Sequence, residues 1–385
     1  MNLDSLTIPD IDYRTTAIDE IKCQTFTNEK GKREIDCIIV DGKEVTPTQR
    51  FWDSLCSKYG FGTTIFNYFS YDEVFDRIAS VRADDEITVA IQDTPAREDE
   101  KFEPKLLAVS SVDKPMMTRD MIVDLADEIG ARSIKYRDGF ITTEHEPASS
   151  IQMLVGGHDS HEPMLTLDTP IDGYGKPNIY LSLIREVCSN GLIGMARAFR
   201  SGIILGTNES AVNVVERTIN SFNNEDGFMA MRDRLDSAMG SWASIFELTK
   251  LSRLIQGLKP ESFKPDFKST VVGAQKDPSV LRGNLLEDLY CKSGDVREIY
   301  GVANQDSISE KRMKQLPTQC TVYDLLCFAS EIATHQLQPG AAMKFQSYFG
   351  TMVSNDIYDL EGSCDDYEEF TDFFNDYSRM AKNRG

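Results

Sequence analysis

Two short β-patterned runs, 133–137 and 140–143, flank the dipeptide Asp138-Gly139. A two-residue loop of this type joins antiparallel strands, because its backbone twist matches theirs. The pair therefore predicts a tight hairpin near the middle of the chain. A second turn pair, Asp41-Gly42, closes the β-rich run 35–40. Further strand patterns lie at 86–92, 106–110, 151–155, 164–167 and 179–188. Asn190-Gly191 reads as the turn that ends the last of these. Beyond residue 208 apolar residues recur at helical spacing instead. Strands first and helices later predict an α+β fold, with a β-rich N-terminal half, flanking helices and a mainly helical C-terminal half. A doubly wound parallel sheet would alternate the two throughout.

Helix ends are also written in the chain. Thr46-Pro47 reads as a cap followed by a proline at the first helical position. Phe51, Leu55 and Tyr59 then share one face, and Gly60 ends the helix. A second helix spans 71–81 with Val74, Phe75 and Ile78 inward. Thr118 caps a third, carrying Met121, Ile122, Leu125 and Ile129 up to Gly130. Asn208 caps a fourth, with Val212, Val215, Ile219 and Phe222. A long helical stretch, 227–256, contains Met239-Gly240-Ser241, where a kink is expected. Segments 281–291, 322–335 and 340–353 read as helix, 93–104 and 156–161 as loops, and 260–268 as a linker. The organisation expected is an N-terminal hairpin and helix region (1–105), an α+β core (106–355) and an acidic C-terminal helix (356–385).

The 385 residues carry a net charge of −21, which repels phosphate backbones and membrane headgroups at long range. An apolar fraction of 41% suffices for a sizeable core. The N-terminus has no cationic start, and no segment approaches the ~20 apolar residues that cross a bilayer. These features predict a cytoplasmic protein without a membrane partner. None of the eight cysteines belongs to a C-x-x-C pair, so reduced, buried thiols are expected rather than zinc or a disulfide framework.

Three stretches carry a family resemblance. The first is the strand–turn–helix from Leu107 through Asp113 to Met121. The second is Arg185-Glu186-Val187-Cys188-Ser189-Asn190-Gly191-Leu192-Ile193. The third runs from Thr321 through Tyr323 and Glu331 to His335, followed by 346–350. Together they resemble the phage- and plasmid-borne domain-of-unknown-function family 932, over roughly 107–353. The second string is similar to the family's "R-x-V-C-(T/S)-N-G-(L/M)-I", and the third to its "(T/S)-E-x-A-T-H". The resemblance singles out Arg185, Cys188, Asn190, Gly191, Glu331 and His335. It implies a mobile-element setting and no agreed mechanism. Many relatives carry a tyrosine where Asp113 stands, and a histidine after the N-G turn. Here that place reads Arg197-Ala198-Phe199-Arg200-Ser201-Gly202, so that histidine's role does not carry over.

Catalytic and metal motifs are weak. His158 and His161, with Asp159 and Glu162, sit in the expected 156–161 loop and lack the i, i+4 spacing of a helical zinc site. His145 and His335 are the remaining histidines. Cys188 has no local activating group. Glu331 and His335 lie one helical turn apart and are expected to face inward as a satisfied pair. No Walker loop, dinucleotide fingerprint or nucleophile elbow occurs, so neither a cofactor nor a metal is expected.

Nucleic-acid signals are modest. Arg197 and Arg200 follow the N-G turn. Between 232 and 276 stand Arg232, Arg234, Lys250, Arg253, Lys259, Lys264, Lys268 and Lys276 against five acids, a local net of +3. Trp242, Phe246, Phe263 and Phe267 interleave with them. Basic residues with aromatics compose a single-strand groove, and more often an ordinary amphipathic helix and linker. The leading expectation is a non-enzymatic accessory of a phage or mobile element that binds or anneals single-stranded DNA. The alternative is an acidic interaction protein that engages a host or phage protein, as a DNA mimic does. A further alternative is an enzyme of unrecognised class.

Overall fold

The computed structural model describes most of residues 8–263 and of 317–345, with short gaps in each range. The fold is α+β. It forms two compact units interleaved in sequence, one of 1–148, 165–179 and 201–223, the other of 149–164, 180–200 and 224–385.

The first unit is built on a six-stranded sheet. Its strands are β1 (Ile11–Ala17), β2 (Lys22–Thr27), β3 (Arg33–Val40), β4 (Lys43–Pro47), β5 (Glu86–Gln92) and β6 (Lys105–Ser111), in the order β1-β5-β6-β4-β3-β2. Only the β4–β6 pair is parallel; the other four are antiparallel. The β3–β4 turn is the expected Asp41-Gly42, with φ of 49° and 79°. Two positive φ values in a two-residue loop match the twist of the strands they join. Because β6 pairs with β4 and β5, the expected boundary at 105 does not separate compact units.

Helix α1 (Gln49–Tyr59) covers this sheet. Its cap is Thr48 rather than Thr46: the Thr48 hydroxyl accepts from Phe51 N–H at 3.2 Å and donates to Leu106 C=O at 3.0 Å. Thr46 and Pro47 belong to β4, where they pair with Lys105 and Leu106. Buried Ser54 ties the helix down by accepting from Val109 N–H at 2.9 Å. Helix α2 (Tyr71–Val81) follows a short 3-10 turn, Thr63–Asn67, and buries Val74, Phe75 and Ile78 as expected. Ile38, Val40, Phe51, Leu55, Ile87, Val89 and Leu106 are among the core residues beneath the two helices.

The same unit holds α3 (Arg119–Glu128), β7 (Ser133–Arg137), β8 (Phe140–His145) and part of the long strand β10 (Asp159–Pro170). β7 and β8 pair antiparallel, as expected, with Arg137 opposite Phe140. Thr118 caps α3 as expected, accepting from Met121 N–H. Residues 163–170 of β10 are buried at every position, as in a strand covered on both faces.

In the second unit β9 (Met153–Val155) pairs with the start of β10, and β11 (Asn178–Arg185) pairs antiparallel with β12 (Asn190–Ile193). Asn190 stands opposite Arg185 and Gly191 opposite Ile184. The N-G pair therefore belongs to a strand and does not form the expected turn. A short strand, β13 (Arg200–Gly202), falls where the chain passes back to the first unit. Helices α4 (Ala211–Ser221, first unit) and α5 (Glu225–Gly240, second unit) follow. The expected kink at Gly240 is instead the end of α5: Trp242–Ser244 forms β14, paired with β15 (Pro317–Thr321). Helix α6 (Val322–His335) is capped by Thr321 and packs on α5 and β12. Segments 264–316 and 346–385 lie outside the described residues, and with them most of the expected C-terminal helices, the linker and the acidic helix.

Candidate functional site

In the first unit a cleft of about 580 Å³ opens between the end of α1, the 3-10 turn and one face of α2. Its far wall comes from an aromatic-rich stretch. α1 closes at Gly60, and Phe61 N–H returns to Cys56 C=O at 3.0 Å. This places Phe61 beside Tyr59, and the 3-10 turn brings Ile65 and Phe69 to the same cavity. Behind that wall Trp52, Phe66 and Tyr71 form an aromatic cluster, with Phe66 stacked on Tyr71 at 4.2 Å. The cluster gives the wall a rigid backing.

The near wall is α2. Val74, Ile78 and Val81 recur at helical spacing along the cavity, interleaved with Glu73, Arg77 and Arg82. Val74 and Ile78 are buried, but Val81 is 65% exposed and Phe69 55% exposed. Large apolar side chains left open in this way mark a contact surface more often than a lone exposed residue does.

The charges around the cleft are unequally committed. Glu73 completes the α2 capping box, its carboxylate accepting from Ser70 N–H at 2.9 Å and Ser70 hydroxyl at 3.0 Å. Asp85 accepts from Tyr59 hydroxyl at 2.9 Å and pairs with Lys58 at 3.5 Å. Burial first, then that bond to Asp85, raises the Tyr59 pKa, so its phenol stays neutral. Arg77 and Arg82 are exposed and form no ion pair among the described residues. The cleft is thus an apolar slot with two uncommitted guanidiniums at its edge.

The second unit contains a buried polar cluster. Tyr323 hydroxyl, from α6, donates to the Asp159 carboxylate, and His161 Nε2 lies 3.4 Å from the Tyr323 oxygen. His161 Nδ1 is 3.2 Å from Asp159 C=O, which can only accept, so the proton resides on Nδ1. All three side chains are buried. The cluster ties α6 to β10. His161 and Asp159 are strand residues here, not part of a loop, because β10 begins at Asp159. Among the described residues no three His, Cys, Asp or Glu side chains converge on a metal position.

The other sequence-derived candidates are scattered. Arg232 and Arg234 lie on α5, and Arg232 is paired with Asp233 at 2.6 Å and Asp236 at 3.9 Å. Phe263 is fully buried and bridges to Leu337, so it offers no ring for stacking on a base. Arg200 is in β13, while Arg185, Asn190 and Gly191 are in the β11–β12 pair. Glu331 is exposed, not inward as expected. Leu325, Ala329 and Ile332 set the inner face of α6, and one residue's step turns Glu331 about 100° away from it. His335 ends α6. Arg197, Lys250, Arg253, Lys259, Lys264, Lys268, Lys276, Cys188 and His158 lie outside the described residues.

The cleft was hidden in sequence because Val74 and Ile78 satisfy an ordinary core pattern. The signal that could have found it is the density of aromatics at 61–71 beside a helix whose apolar stripe extends to Val81. No family model, curated protein or solved structure matches the chain. Among the described residues no helix is long and apolar enough to cross a membrane.

Proposed function

We propose that the chain is a non-enzymatic, acidic interaction protein, and that the α1–α2 cleft is where it engages a partner protein. The observation that carries this reading is the apolar slot itself, left open with Phe69 and Val81 exposed. The net charge of −21 supports it over a phosphate-rich ligand. The mobile-element setting rests on the resemblance of the three strings to family 932. The mainly helical C-terminal half belongs to the same proposal.

Single-stranded DNA is the second reading, favoured by the +3 balance between 232 and 276. The carboxylates around Arg232 weigh against it. A photo-crosslinking residue at Val81 in full-length protein should give a discrete protein adduct in the native host, and one at exposed Asp36 should not. A labelled oligonucleotide at low salt should show no anisotropy change. Salt-dependent oligonucleotide binding, with no adduct specific to Val81, would reverse the order of the two readings.

A further inference from the structure

We infer that the element received by this cleft is an amphipathic helix whose apolar ridge is flanked by one or two carboxylates. The inference rests on the docking reading above and names the chemistry of the partner. The near wall runs along α2 from Glu73 to Val81, with Arg82 just past its end. At ~1.5 Å rise per residue that is roughly 12 Å, the length of a little over two helical turns. A ridge made by Val74, Ile78 and Val81 is the kind of surface against which another helix interdigitates. The aromatic wall opposite makes the space a groove, the geometry in which anchors at i, i+3, i+4 and i+7 are bound.

Charge then selects among helices. Arg77 lies on α2 and Arg82 is the capping residue just past its end, and both line the cleft. Carboxylates one turn apart on an incoming helix can meet both, because each guanidinium swings on a long flexible stem. Guanidinium–carboxylate pairs fix register through directional, bidentate bonds. The surroundings limit how acidic the partner can be. Six acids and only Arg77 and Arg82 occupy 71–86, a net of −4, so a polyanion is repelled while a helix with few carboxylates is accepted. Nucleic acid is disfavoured at this face on the same ground.

The test uses full-length protein and two fluorescent, end-blocked 14-residue helical peptides. Both carry leucine at i, i+3, i+4 and i+7; one bears two flanking glutamates one turn apart, the other two lysines. The glutamate peptide should bind at least tenfold more tightly. The double variant Arg77→Glu/Arg82→Glu should reverse that preference, and Val81→Glu should weaken both peptides. Arg77, Arg82 and Val81 are exposed, and unchanged circular dichroism shows that each variant folds. Equal binding of the two peptides overturns the charge inference and leaves docking intact. Failure of both peptides, with the Val81 crosslink retained, overturns the helix while the docking reading survives. Saturation by decanoate with no peptide binding makes the cleft a small-carboxylate pocket and overturns the inference as well.

Discussion

Arg50 leaves the first turn of α1 and places its guanidinium on Asp172, whose side chain is fully buried. Its second nitrogen donates to Asp172 at 2.8 Å and to Tyr174 C=O, and the plane lies 4.1 Å from the Phe140 ring centroid. Removing one partner of such a pair strands a buried charge, which costs more than the pair contributes. Arg50→Ala should therefore destabilise by about 3–5 kcal/mol. Arg50→Ala/Asp172→Ala should recover part of the loss, read from urea midpoints; a double variant no better than the single one speaks against the ion pair. Gly139 has φ +85°, and a Cβ there would stand 2.6 Å from Asp172 Oδ2. Gly139→Val should cost about 2 kcal/mol or more, from strain and from disturbing the same carboxylate. His145 is held neutral by burial, with its pKa lowered to about 4, while Nδ1 finds no partner. An unfolded chain protonates this ring near pH 6.5 and the folded chain only near 4. Unfolding thus takes up a proton in that window, so stability falls as pH drops through it. Between pH 6.5 and 5 the loss from His145 should be about 1.5 kcal/mol. A His145→Gln variant with the same pH slope as the parent would refute this assignment.

At the scale of elements, local chemistry was legible wherever one residue had one use. Asp41-Gly42 is a loop because few other dipeptides fit two-residue turns, and 71–81 is a helix from its first residue to its last. Reading failed where a signal had two uses. Thr46 and Thr48 flank the same proline, and only the parallel pairing of β4 with β6 decides that Thr48 caps α1. Thr48→Ala should cost about 1–2 kcal/mol, whereas Thr46→Ala, exposed in β4, should stay within about 0.5 kcal/mol. Equal melting shifts in the two variants would count against this cap. Gly240 fits a kink or a terminus, and the pairing of Trp242 with Thr321, far along the chain, makes it a terminus. Asn190-Gly191 fits a turn or a strand start, and the register with β11 makes it the second. The cleft stayed unread because a helical stripe reports which residues are apolar, not whether another element covers them.

For the whole molecule, charge and chain order matter most. A protein at −21 resists compaction through self-repulsion that dissolved ions screen. Raising sodium chloride from 20 to 300 mM should lift the melting temperature by a few degrees; a flat or falling curve would mean that like charges are already well separated. The interleaved units carry a different consequence, one for synthesis and inheritance. The chain passes from one unit to the other at 148/149, 164/165, 179/180, 200/201 and 223/224. During translation the first unit lacks part of itself until residue 223 has emerged from the ribosome, by which point two segments of the second have already been made. No single break divides the gene into two self-sufficient modules. A crossover anywhere within that interval leaves both halves incomplete, so exchange of the whole chain is the route that keeps each unit intact.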